Sequence, residues 1–185
     1  MPEAKAAALE ALQIDGRLAE AHASLAMVQL LYDWDLAASE KAFRRAIELD
    51  PNYTAAHHWY SHCLLALGRT SESLAESRRA LELEPLHLVV GSHLGWHYLY
   101  ARQYDQAVEQ FRKTLELDPA FPQTQRYAAW AYLQKRMYPE AIAALRAALS
   151  ALERDPEVEG ELGYALAVAG RRAQALAMLR DLGQL

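Results

Sequence analysis

The sequence carries a single cysteine, Cys63. No disulfide can close within the chain and no multi-cysteine zinc site can assemble, which fits a reducing compartment. Apolar runs stay short of the ~20 residues that a helix needs to cross a bilayer. The N-terminal segment MPEAKAAALEAL lacks the basic-then-apolar layout of a secretory signal, so a cytoplasmic location is expected. There is no excess of positive charge: the formal net charge is −5, whereas nucleic-acid binding requires a concentrated basic stripe. The arginine pairs Arg44-Arg45, Arg78-Arg79 and Arg171-Arg172 sit beside glutamates or apolar turns and read as solvated helix faces. Catalytic signatures are missing too. No glycine-rich phosphate loop, kinase lysine, HRD element or HExxH stands in the chain. Ser61, Ser71, Ser73 and Ser77 show no Ser–His–Asp order and read as packing or capping residues, and Cys63 reads as a small, inert core residue. The expectation is a protein that is not an enzyme and holds no cofactor.

No stretch alternates apolar and polar residues with a period of two, which excludes a sheet; apolar residues recur instead at i, i+3, i+4 and i+7. Composition is that of a folded protein, 52% apolar and 23% charged over 185 residues. The dominant feature is a repeat. IELDPNYTAAHHW around Pro51 returns as LELEPLHLVVGSH around Pro85 and as LELDPAFPQTQRY around Pro119, a constant step of 34 residues. In a 34-residue register, a half repeat at 2–18 precedes repeats 19–53, 54–87, 88–121, 122–155 and 156–185, all within one solenoid spanning 1–185. Eleven helices are predicted. The first full repeat has one residue too many, assigned to the turn YDWD, where an insertion costs little. Glu153 stands where the last proline is due, although Asp155-Pro156 still supplies an N-cap and a proline at the first helical position.

Small residues recur where paired helices cross: Ala26, Ser61, Gly95, Ala129 and Gly163 at position 8, and Ser39, Ser73, Ala107, Ala141 and Ala175 at position 20. Small side chains let helix axes approach closely. Position 7 carries Leu25, Tyr60, Leu94, Ala128 and Leu162. Gly68 and Gly170 mark turns that need positive φ, and Pro139 falls in a first helical turn, where its missing N–H is harmless.

On these positions, over essentially its whole length, the chain resembles the tetratricopeptide repeat family. The strings DWDLAASEKAFRRAIELDP, HHWYSHCLLALGR and GYALAVAGRRAQALAML are similar to repeat arrays on the C-terminal side of bacterial signalling proteins. In such proteins the array often follows a winged-helix or serine/threonine kinase domain, and this sequence contains neither. The resemblance implies an all-α right-handed superhelix of helix-turn-helix repeats that binds a protein or peptide partner in a concave groove.

Family positions 2, 5, 9, 12 and 13 of each first helix then imply a groove lined by Met27, His58, His62, Trp96, Tyr100, Arg126, Trp130 and Tyr164, with Leu65, Leu99 and Leu133. With Arg126 its only cation, this stripe lacks the Lys and Asn set with which family members clamp an acidic C-terminus. Its aromatic character suits an apolar peptide or amphipathic helix. The competing structural reading buries these rings between neighbouring helices.

Two further readings follow from the residues. Ala4, Ala8 and Ala11 at one end and Leu179, Leu182 and Leu185 at the other lack a polar cap, which favours self-association into homo-oligomers through terminal helices. The His58/His62 and His93/His97 pairs, each four residues apart, have metal-competent spacing, with His58, His62 and His93 converging by register. No carboxylate falls at a matching spacing, and polar groove lining is the plainer reading. Neither membrane nor nucleic acid is an expected partner.

Overall fold

A computed structural model describes residues 1–152 and 155–182; Glu153 and Leu185, singled out above, lie outside the described residues. The described residues form eleven α-helices and no strand. They are α1 (Pro2–Ile14), α2 (Ala19–Val28), α3 (Leu36–Leu49), α4 (Thr54–Ala66), α5 (Thr70–Leu83), α6 (Leu88–Tyr100), α7 (Tyr104–Leu117), α8 (Pro122–Gln134), α9 (Tyr138–Ala151), α10 (Pro156–Val168) and α11 (Arg172–Leu182). The all-α class expected from the missing period of two is therefore observed. The chain forms two compact units, Met1–Val90 and Gly91–Leu185.

In the first unit each helix packs on the next from α1 to α4, and α4 packs on α5. Its core gathers Ala26, Phe43, Ala46, Ala56, Tyr60, Cys63 and Leu64. In the second unit α7 packs on α8, α8 on α9, α9 on α10 and α10 on α11. One core there surrounds Phe111 with Leu99, Ala107, Ala128 and Ala131. A second core joins Ile142, Leu145 and Ala148 to Val158, Leu162 and Leu166.

The small residues at the helix crossings have a visible cause. Ser39 Oγ donates to the Ala26 carbonyl at 2.9 Å, and Ser73 Oγ donates to the Ser61 carbonyl at 2.7 Å, all four residues being fully buried. A serine at position 20 thus binds the backbone at position 8 of its partner helix, a contact that only close axes allow. At the third crossing, a Cβ added to Gly95 would lie 2.3 Å from Phe111 Cε1, so the phenyl ring occupies the space that a side chain would need.

Asp50 and Asp118 shape the turns between repeats. Their carboxylates accept from the N–H groups of Asn52 and Ala120, each at 2.9 Å, and Asp15 does the same for Arg17 at 2.8 Å. Asp155 caps α10 through Glu157 and Val158 N–H, with Pro156 opening the helix.

Within the helix pairs the turn residue is left-handed each time. Gly68 and Gly170 take φ of 75° and 76°, but Trp34, Arg102 and Arg136 adopt φ of 57–58° without being glycine. The extra residue of the first repeat is absorbed by a π-helical turn, Gln29–Asp33, that widens the end of α2 before Trp34. This shifts the insertion from the YDWD turn into the helix itself. One residue added to a helix is accommodated by i→i+5 bonding, which leaves the turn geometry intact.

Candidate functional site

Of the candidate residues in the first unit, His58 is buried, while Met27 and His62 are half-buried. The four-residue step between His58 and His62 puts their rings in edge-on contact, with centroids 5.2 Å apart. Trp59, absent from the predicted stripe, stacks obliquely on both at 5.1 and 5.3 Å.

Alongside this cluster, a charged network ties α3, α4 and α5 together. Arg69 NH1 donates to Glu40 at 2.5 Å and Arg69 also grips Glu72; Arg44 reaches Glu40 at 2.7 Å and the Tyr60 hydroxyl at 3.0 Å. Tyr60 in turn donates to Glu40 at 3.1 Å. The Arg69 hydrogen bond holds the Glu40 carboxyl below its usual pKa against the opposing effect of burial. Burial pushes the Tyr60 phenol up, as it does the Cys63 thiol, which is fully buried and unsuited to nucleophilic work.

The remaining candidates fall in the second unit, where the rings run in a chain. Trp96 touches Tyr100 with centroids 4.3 Å apart; Tyr127 lies 6.4 Å from Trp96 and 5.6 Å from Trp130. Tyr127 thus stands between Trp96 and Trp130. Tyr127 occupies position 6, next to the small position 7 residue Ala128. Its own 3–4 spacing to Gln123 and Trp130 was the available signal. Gln123 donates to the Tyr127 hydroxyl at 3.2 Å and lies 3.1 Å from His93 Nε2.

Arg126, the one cation of the stripe, is held by α10. Its Nε donates to both Glu161 oxygens at 2.9 and 3.0 Å, and its NH2 group reaches Glu161 at 2.7 Å and Glu157 at 2.8 Å. The guanidinium carbon also sits 5.5 Å from the Trp130 ring centroid. Its pKa is raised first by the Glu161 bond, so the charge is permanent. The two glutamates are one helical turn apart, which is why both reach the same guanidinium. Sequence reading missed them because the pairing crosses from α8 to α10.

Beside this ion pair opens a cavity of about 790 Å³. Trp130, Leu133, Tyr138, Tyr164 and Val168 give it apolar walls, with Glu157, Glu161 and Arg136 at its polar edge and Gly160 between the two glutamates. Tyr164 is 61% exposed, and Trp130 packs one side on the Phe111 core while lining the cavity with the other. The ring set therefore serves both core and surface.

Comparison with known proteins bears on the family. Two models of the tetratricopeptide repeat match, one over residues 93–159 and one over 42–75. A comparison with curated protein sequences found no match. Among solved structures, Pseudomonas aeruginosa PilF is similar with a TM-score of 0.82 at 23% identity, over 99% of this chain and 83% of that one. TTC0263, a tetratricopeptide protein of Thermus thermophilus, gives 0.73 at 22% identity over 89% of each chain. YrrB, whose structure is described as having an unusual peptide-binding site, gives 0.69 at 17% identity over 95% of this chain and 90% of that one. At such identities the likeness shows the fold alone. With the repeat models, the paired helices and the small-residue crossings in agreement, the chain belongs to the tetratricopeptide repeat family.

Proposed function

We propose that this protein is a non-enzymatic interaction scaffold, and that the aromatic face of α8 and α10 takes an apolar peptide segment of a partner protein. Gly160 carries the reading. It lies inside α10, where glycine costs roughly 0.5–1 kcal/mol relative to alanine, yet a Cβ built there meets nothing within 4 Å. Gly95 is demanded by Phe111; Gly160 is demanded by nothing within the described residues, and it borders the cavity. An open helix backbone between Trp130 and Tyr164 suits close approach by another chain, with the rings as anchors. YrrB, with its peptide-binding site, is consistent with this use of the fold. Trp96 and Tyr100 extend the proposed surface along α6, and Met27, His58 and His62 offer a like surface within the first unit.

Selection of displayed random peptides on the purified protein tests this. Enriched sequences should be rich in large apolar residues and should lose binding to Trp130→Ala and Gly160→Leu, both of which should fold. Peptides that bind these variants as well as the wild type would place the site elsewhere.

A second reading, self-association, is favoured by α11, where Leu179 is 63% exposed and Leu176 is also open. Light scattering of Leu179→Glu should then show smaller particles than the wild type, and a monomeric wild type would remove this reading. In α1, Ala8 is buried while Leu9 and Ile14 are exposed, so that helix offers apolar surface as well.

A further inference from the structure

His57, the fourth residue of its repeat, makes a contact that recurs along the chain. Its Nε2 lies 3.0 Å from the Pro51 carbonyl oxygen, six residues back in the turn between α3 and α4. His22 Nε2 lies 3.1 Å from the Gly16 carbonyl, and Gln125 Nε2 donates to the Pro119 carbonyl at 2.9 Å. Each is the same residue of a repeat reaching back six positions, so a side-chain N–H at position 4 clasps the preceding turn. Gly91 holds this position in a fourth repeat and has no side chain to offer.

The His57 clasp differs from the others at its second nitrogen. His57 Nδ1 meets Glu76 Oε2 of α5 at 2.5 Å. The equivalent position carries Ala42, Gln110, Ala144 and Met178 elsewhere, so no other repeat places a carboxylate there. The imidazole is 6% exposed and both ring nitrogens face acceptors, a carbonyl and a carboxylate. A neutral imidazole has one N–H and can satisfy only one of them; the other contact would set lone pair against lone pair in a buried site.

We infer that folded His57 is an imidazolium at neutral pH, and that its proton fastens the α3–α4 turn to α5 in a joint that weakens as the pH rises. The Glu76 side chain stays partly open to solvent, at 27% exposure. The other charged group facing the pair is Arg79 of α5, which opposes the imidazolium but is itself held by Asn52 at 2.9 Å and by Glu82. Burial draws the imidazole pKa down. The Glu76 hydrogen bond, the Pro51 carbonyl and the Glu76 charge together outweigh burial, and the net direction is up from 6.5. A raised folded pKa gives stability that is complete below the unfolded value near 6.5 and is lost as pH rises through the folded value.

Ring ¹⁵N–¹H correlation spectra of the wild type, at about pH 7.5, test the inference directly. Protons on both His57 nitrogens are expected; one bare nitrogen, the signature of a neutral ring beside a protonated Glu76, would overturn it. Melting temperature against pH gives the second reading. The wild type should lose stability from about pH 6.5 upward, and His57→Gln should lack this decline, because Gln125 already shows that an amide makes the clasp without titrating. An unchanged pH dependence in His57→Gln would also sink the idea. In Glu76→Gln the His57 proton affinity should fall by at least about tenfold.

Discussion

Arg69 in the first unit and Arg126 in the second are built alike: each guanidinium is shared by two glutamates and belongs to a cluster that includes an aromatic side chain. Arg69 gathers Glu40 from α3 and Glu72 from α5, and Glu40 also takes the Tyr60 hydroxyl, with Tyr60 itself buried. The bonds there close three helices on one another. Arg126 instead joins α8 to a single face of α10, and the ring it touches, Trp130, turns its other side to an open cavity. One arrangement uses its polar groups to finish a core; the other fixes a wall beside an open cavity, the surface proposed above to take a peptide. A fixed ion pair is therefore compatible with either setting, and the two sites differ in the free surface beside it.

The largest test of this contrast pits a core ring against a wall ring. Phe111→Ala should cost about 3–5 kcal/mol in urea unfolding, since Phe111 is fully buried and closes the Gly95 crossing. Trp130→Ala should cost about 1 kcal/mol, because only one of its sides packs on that core. Equal losses would erase the distinction between the two kinds of ring.

Next in size are the crossings. Ala107→Leu and Gly95→Ala should each destabilise by about 1–3 kcal/mol through overpacking against neighbours that have no room to move. Wild-type stability in both would mean that the small residues are not what sets the helix spacing.

A smaller effect separates the two arginine sites by pH. Removing the Glu40 charge in Glu40→Gln should lower the neutral-pH melting temperature by roughly 2–4 °C. Glu40 has a folded pKa depressed below 4.5, so its contribution is present above that value and disappears as pH falls through the depressed one. The gap between variant and wild type should therefore close in acid. A gap that persists undiminished would show that the variant loses packing rather than charge.

The smallest prediction sharpens the proposed site. Gly160→Ala should raise stability by roughly 0.5–1 kcal/mol, because alanine is the better helix former and its Cβ meets no neighbour. The same change should weaken capture of selected peptides. Improved stability with unchanged capture would place the partner away from α10.

Much of the fold was legible in the sequence because it is written in local terms. Helix starts are announced by prolines at a 34-residue step and by Asp155-Pro156, and crossings by small residues at fixed steps, so a single period yields eleven helices. The left-handed turns at Trp34, Arg102 and Arg136 were not legible, since only Gly68 and Gly170 carry the residue that such a φ prefers. The π-helical turn at Gln29–Asp33 was half legible: length showed one residue too many, but not whether helix or loop would absorb it.

The candidate site was legible only as a stripe. The family resemblance implied the face that carries Trp96, Trp130, Tyr164 and Arg126, and the 3.6-residue turn explains why positions three and four apart share it. That Tyr127 stands between the tryptophans, that Glu157 and Glu161 claim Arg126, and that Glu76 faces His57 across nineteen residues were decided by tertiary structure. These pairings join different helices, and their distances depend on how closely the axes approach and at what rotation. Sequence determined the helices, their order and the small residues that bring them together. Only the packed structure decided which charges meet, which rings stay uncovered and which histidine must keep its proton, because each of those depends on what burial removes from water.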